Sequence, residues 1–311
     1  MAVTSEQTPA KADPDSKQEE ERRLHQRMEQ IGRKLVVLSG KGGVGKSTVA
    51  PNLAAALAAD HFKVGLLDVD IHGPSIPRLM GLEGTTLGTD GTSLLPVPVG
   101  ENLAVMSIGF LLAKRTDAVI WRGPLKFGVI RQFLSDVAWG QLDFLVIDCP
   151  PGTGDEPLSV AQLVGQAALA VIVTTPQELA VSDVRRCITF CQQVGLPVAG
   201  IVENMSGFVC PQCGVSLNLF GRGGGEGLAR EMGVPFLGCI PIDPGIVCGG
   251  DCGKPFATGA SGPAKGAFSE VVRRIEESAS EAAAGRRAGH CDSKGTACGH
   301  DQEPTHHCSC R

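Results

Sequence analysis

No stretch of the sequence approaches the roughly 18 apolar residues of a membrane-spanning helix, so an integral helical membrane protein is not expected. The N-terminal stretch has no apolar core behind its charges, which argues against a secretory leader and predicts a cytoplasmic protein. An excess of positive charge is also missing: 28 Lys and Arg stand against 33 Asp and Glu, a net charge of −5. With no basic face evident to attract phosphate backbones or anionic lipid, neither nucleic acid nor a membrane surface is an expected partner. Tyrosine is absent, and this excludes no function. Cysteine is plentiful, with twelve residues. In a reducing compartment these thiols stay free of disulfides, and metal binding becomes the more natural use for them.

At 311 residues with 42% hydrophobic content, the chain can fill one large α/β domain or two small ones. Residues 1–33 read as a polar extension, partly disordered, in which Leu24, Met28 and Ile31 share a helical face. Residues 34–285 alternate short apolar runs with amphipathic segments. The runs are Leu35–Leu38, Val64–Leu67, Leu103–Ile108, Phe144–Ile147, Leu169–Val173, Val198–Val202 and Phe236–Ile240. Apolar throughout, they suit strands buried on both faces of a mostly parallel sheet, with helices on both faces. Ala180, Val184, Ile188 and Cys191 form one helical stripe, and Phe268, Val271, Val272 and Ile275 another. Residues 286–311 lose their apolar content and read as a Cys/His-rich flexible tail.

The strongest motif is Gly40-Lys41-Gly42-Gly43-Val44-Gly45-Lys46-Ser47-Thr48, a G-x-x-x-x-G-K-[ST] loop between an expected strand and an Ala-rich helix. Its glycines let successive backbone N–H groups turn inward onto phosphate oxygens, and the following helix adds its positive end. Lys46 is expected at the β and γ phosphates of ATP, with the Ser47 hydroxyl on Mg²⁺. The alternative is a glycine-rich turn without a ligand, which the flanking elements disfavour. Asp148 ends the apolar strand Leu142–Asp148 and reads as the carboxylate of the Mg²⁺ shell; a helix-capping role is the other reading. Asp68 and Asp70 end the strand that follows the phosphate-loop helix, where the crevice should lie. Either one could orient the attacking water, and spacing does not choose between them.

The second lysine, Lys41, makes the loop resemble the deviant Walker A group of P-loop NTPases, which includes the nitrogenase iron protein and the septum-site and partition ATPases. More narrowly, Asp68-Val69-Asp70-Ile71-His72-Gly73-Pro74-Ser75, Trp121-Arg122-Gly123-Pro124 and Asp148-Cys149-Pro150-Pro151-Gly152-Thr153-Gly154-Asp155 are similar to the Mrp/ApbC iron–sulfur carriers over residues 33–280. The resemblance implies a homodimer sandwiching two ATP, with Lys41 reaching the partner's nucleotide. It further implies a first switch at Asp70, a second from Asp148 to Asp155, and adenine contact by Asn204. Unlike the longer bacterial members, the chain lacks an extra N-terminal domain. Unlike the eukaryotic cytosolic scaffolds, its N-terminal extension has no cysteines, which excludes a second thiolate-bound cluster there.

Cys210-Pro211-Gln212-Cys213-Gly214 is a C-x-x-C in the position where that family places its cluster ligands. Two thiolates are half of the four that an Fe–S cluster takes, and a two-fold axis brings identical patches together. One bridging cluster per dimer is therefore expected, read as 4Fe–4S although four thiolates do not themselves fix its nuclearity, with apo iron–sulfur proteins as recipients. Half of a zinc ribbon completed by Cys248 and Cys252, which read as one flexible loop, is a rival. It would suit a zinc-binding nucleotide switch of the partitioning type. A dithiol redox pair is a further rival. Cys187 and Cys191, one turn apart on an apolar stripe, read as core, and Cys149 and Cys239 as buried strand-end residues. Cys291, Cys298, Cys308 and Cys310 cluster with His290, His300, His306 and His307, as either a soft-ligand metal site or an unligated tail. The mechanism expected is that ATP closes the dimer, moves the segment after Asp148 and so alters the surroundings of Cys210 and Cys213, with hydrolysis as the timer.

Overall fold

The seven apolar runs become the seven parallel strands of one sheet. The computed structural model describes residues 14–111, 123–165, 167–259 and 262–289. The first residues of the extension, Trp121, Arg122 and the Cys/His cluster of the tail lie outside these.

Helix α1 (Pro14–Glu29) leads into β1 (Ile31–Ser39), which feeds the phosphate loop and α2 (Lys46–Ala59). Then come β2 (Val64–Asp68), the short α3 (Ile76–Leu79), and a small excursion through β3 (Gly88–Thr89), β4 (Leu94–Leu95) and β5 (Val97–Val99) to β6 (Leu103–Ser107). Helix α4 (Gly123–Ser135), β7 (Leu142–Asp148), α5 (Asp155–Leu163), β8 (Ala168–Thr174) and α6 (Glu178–Val194) continue the alternation. Strand β9 (Val198–Val209) forms a hairpin with β10 (Ser216–Leu217). Helix α7 (Gly224–Met232), β11 (Phe236–Ile242), α8 (Pro244–Asp251), α9 (Phe256–Gly259) and α10 (Pro263–Gly289) complete the described chain.

The main sheet runs β10-β9-β8-β1-β7-β2-β6-β5, with β11 on β9. Only β10 and β5 pair antiparallel. Along β1, Leu35 and Val37 pack into one core with α2 and α10, while Val36 and Leu38 pack into the other with α4, α5, α6 and α7. This is the period of two expected of a strand, here with both faces dry. Because β1 lies between β7 and β8, its C-terminal end opens onto a crevice bordered by the ends of β7 and, one strand further, β2.

Two sequence expectations change in detail. The helical stripe ends before Ile31, which starts β1, three residues ahead of Lys34; Met28 is buried and Leu24 partly so. The extension is also helical from Pro14, and α1 is tethered to the domain by Arg27 Nη2 donating to Ser93 Oγ (3.1 Å) and by Arg23 with Asp136 (3.6 Å). A helix this polar is held by such contacts and by the few apolar residues it buries, not by its own propensity.

Candidate functional site

The phosphate loop closes a cavity of about 240 Å³ lined by Ser39, Lys41 to Thr48, Asp70 and Pro151. Gly45 turns the loop into α2 with φ +82°, a left-handed conformation natural to glycine. A Cβ there would lie 2.2 Å from Asn204 Nδ2, so a side chain would both strain the turn and displace that amide. Lys41 through Thr48 thus line the cavity, Lys41 from the loop's first turn, while Gly40 lies against the backbone of Asp183, where a Cβ would come within 2.5 Å.

Lys46, 5% exposed, donates to Asp148 Oδ1 at 2.6 Å and to Ser47 Oγ at 3.0 Å. Asp148 is fully buried at the end of β7, and its second oxygen has no hydrogen-bond partner. Burial pushes the Asp148 carboxyl above its ordinary value, while the Lys46 ammonium and the Ser47 hydroxyl act the other way. A buried carboxylate oxygen without a donor, beside a hydroxyl, is the donor set a hard divalent cation prefers, so Ser47 and Asp148 fit Mg²⁺.

The structure separates the two aspartates that spacing could not. Asp68 is buried opposite Asp148 in the β2–β7 register. It accepts from Ser107 Oγ (2.9 Å), Asp70 N (3.0 Å) and Ile76 N (3.3 Å). Both its oxygens are thereby committed to holding the loop after β2. Burial, followed by the Asp148 charge, pushes it up to about 8. Asp70 instead lines the phosphate cavity, its Oδ1 taking Gly73 N at 3.2 Å.

A second cluster, which the sequence did not indicate, ties the segment after Asp70 to the first turn of α5. Lys126 Nζ, from α4, lies 2.7 Å from Glu156 Oε1 on the first turn of α5 and 2.8 Å from His72 Nε2 after Asp70. Burial works to raise Glu156, but the Lys126 hydrogen bond and charge prevail and hold its carboxyl below the usual range.

Cys210 and Cys213 occupy the turn of the β9–β10 hairpin, closed by Cys210 N on Val215 O (3.0 Å) and Gly214 N on Cys210 O (2.9 Å). Cys213 is exposed and Cys210 half-buried. Backbone N–H groups of Cys213 and Gln212 point at the Cys210 sulfur and lower its pKa below the ordinary thiol value. Exposed apolar side chains surround the pair: Val209, Val215, Leu217, Leu219 and Phe220.

The remaining cysteines sort differently from the sequence reading in two cases. Cys248 and Cys252 are not in a flexible loop: Cys248 is on α8 and Cys252 caps its end, with Cys252 N on Cys248 O. Asp243 caps α8 through Gly245 N and Pro244 takes its first position, and together these start a helix despite the glycines that follow. Among the described residues no group of three or more His, Cys, Asp or Glu side chains converges to hold a metal, so Cys248 and Cys252 do not complete a zinc site with Cys210 and Cys213. Cys239 lies within β11 and is only half-buried, its thiol 3.9 Å from Glu203. Cys149, Cys187 and Cys191 are buried in the core, as expected.

Asn204 does not line the phosphate cavity. It is buried on β9, with Nδ2 donating to Val44 O of the phosphate loop at 2.9 Å. No local sequence signal marks this contact, which joins segments 160 residues apart.

The chain is 54% identical over 246 residues to a cytosolic Fe-S cluster assembly factor NUBP2 homolog of Trichoplax adhaerens, covering 78% of this chain and 93% of the relative. It is 52% identical over 252 residues to the Nematostella vectensis homolog, covering 79% and 93%. Among solved structures, a nucleotide-binding protein of Archaeoglobus fulgidus in complex with ADP matches with a TM-score of 0.69 at 44% identity, covering 77% of this chain and 94% of that one. The cell division ATPase MinD of Pyrococcus furiosus matches with a TM-score of 0.58 at 26% identity, covering 79% and 99%. The family model for NUBPL iron-transfer P-loop NTPases spans residues 30–276, and the chain belongs to that family.

Proposed function

We propose that two copies of this chain hold an iron–sulfur cluster between their Cys210–Cys213 pairs, and that ATP binding and hydrolysis govern its delivery to apo proteins in the cytosol. The observation that carries this reading is the hairpin itself. Two accessible thiols stand at its tip, one biased toward thiolate, and no third ligand from the described residues joins them. Such a half-site suits four-thiolate ligation of a 4Fe–4S cluster across a two-fold axis. The apolar rim of Val209, Val215, Leu217, Leu219 and Phe220 would be covered in the dimer. The assembly role and cytosolic location extend to this chain what the NUBP2 homologs' names say of them.

At the nucleotide, the loop N–H groups and Lys46 hold the β and γ phosphates, and Lys41 extends toward the partner's nucleotide. Ser47 and Asp148 would hold Mg²⁺, which would supply charge neutralisation to the phosphates. Asp70, the aspartate on the cavity wall, orients the water that displaces ADP from the γ-phosphorus, and Asn204 contacts the adenine.

Anaerobic reconstitution with iron and sulfide tests the cluster. The wild-type chain should develop a visible charge-transfer absorption and a dimeric mass, and a Cys210→Ala/Cys213→Ala double variant should develop neither. An unchanged spectrum in that variant would move the cluster elsewhere in the chain.

A further inference from the structure

Strand β9 passes both sites within seven residues: Asn204 braces the phosphate loop, and Cys210 stands at the hairpin tip. Between them the strand is not regular. Asn204 pairs with Ile240 and Phe208 with Ile242, so β9 spends four steps where β11 spends two. The excess is taken up by Met205, with φ +57°, and Gly207, with φ +79°. A left-handed methionine is uncommon, and a bulge of this kind re-aims the strand beyond it.

Either side of this bend is anchored. Before it, Glu203 is fully buried and accepts from Ser206 Oγ (2.6 Å), Gly223 N (2.8 Å) and Gly225 N (2.6 Å), fixing the strand to the start of α7. Beyond it, Phe208 and Val209 are locked to Leu217 and Ser216 in the hairpin. A cavity also lies beside the hairpin. Val209 and Pro211 form one wall of a cavity of about 250 Å³ whose other wall is Pro241 to Pro244 and Gly262.

An anchored strand, two left-handed residues and a hydrogen-bonded hairpin beside a cavity have the form of a lever. Its short arm is Asn204, whose amide holds Val44 O and sits against Gly45, the residue that turns the loop into α2. We propose that Asn204, Met205 and Gly207 couple the state of the phosphate loop to the orientation of the Cys210–Cys213 hairpin along β9. This rests on the reading of Cys210 and Cys213 as cluster ligands, and it adds a route within one chain to the one through the segment after Asp148. Met205 and Gly207 are positioning residues: neither lines the phosphate cavity, and Met205 Cε lies beside Gly45 of the loop.

The test uses the full cluster-free chain, so that it does not depend on cluster binding. Alkylation of Cys210 and Cys213 by N-ethylmaleimide is followed by peptide mass spectrometry, with and without Mg²⁺ and a non-hydrolysable ATP analogue. In the wild type the nucleotide should change the alkylation rate several-fold. In Gly207→Ala, where alanine disfavours the left-handed joint, and in Met205→Gly, where the joint is freed, the ratio should fall toward one while analogue affinity and ATP turnover persist. Thermal melts check that each variant folds, and either one suffices if the other does not. Wild-type alkylation indifferent to nucleotide, or a folded variant that keeps the full ratio, overturns the coupling. Failure of the cluster reading would appear separately, as a reconstituted spectrum that survives loss of both cysteines.

Discussion

Lys46 Nζ lies 2.6 Å from Asp148 Oδ1, while the other oxygen of Asp148, equally out of water, has no partner. One ammonium therefore serves two ends: it neutralises a buried carboxylate in the free protein and stands ready for phosphate oxygens. Replacing it removes both. Lys46→Met should lower ATP turnover by on the order of 100-fold or more. It should also cost about 3 kcal/mol of stability, because Asp148 is left as an unpaired buried charge. Phosphate-release kinetics and urea unfolding of the same preparation check the pair. Turnover retained in Lys46→Met would remove this lysine from the mechanism.

Asp68 should make the magnesium-free protein lose stability as pH rises. Its carboxyl ionises near 3.8 when exposed but at about 8 in the fold. Between those values the folded chain holds a proton that the unfolded chain has released, so each step up in pH favours unfolding, and the loss is complete above about 8. Urea denaturation at about pH 5 and about pH 8.5 should show the decline in the wild type and a smaller one in Asp68→Asn. Equal declines would mean that another group carries the effect.

For Cys210 the sign is opposite. The backbone N–H groups of Cys213 and Gln212 favour its thiolate, so its folded pKa lies below the ordinary 9.0. Iodoacetamide labelling of Cys210, resolved by peptide mass spectrometry, should reach its midpoint below that value. Unfolding in urea should shift the midpoint upward.

Lys126 offers a test of the link between the segment after Asp70 and the start of α5. Lys126→Met removes the partner of Glu156, whose side chain is only 9% exposed, and should cost about 2 kcal/mol. The double variant with Glu156→Gln should recover part of that loss, since the stranded charge is gone. Additive losses would indicate that the 2.7 Å contact contributes nothing to stability.

Much of the architecture was legible because its determinants are local. Strands buried on both faces read as unbroken apolar runs, and the phosphate loop carries its glycines, lysines and hydroxyls in one stretch of chain from Gly40 to Thr48. The C-x-x-C with Gly214 likewise announces a tight turn bearing two thiols. Helix α8 was misread because Gly249 and Gly250 outweighed Asp243 and Pro244, although those two residues are a sound start signal.

Sequence alone thus determined the nucleotide loop, the parallel sheet and the turn that carries Cys210 and Cys213, since each depends on neighbours along the chain. Only the tertiary structure decided that Asp68 is committed to holding a loop while Asp70 faces the cavity. It also decided that Lys126 bridges His72 and Glu156, that Asn204 grips Val44, and that Cys248 and Cys252 stay apart from Cys210 and Cys213. Those outcomes depend on which strand ends the sheet order brings side by side and on which side chains are left without water, and neither is encoded in the spacing of residues along the chain.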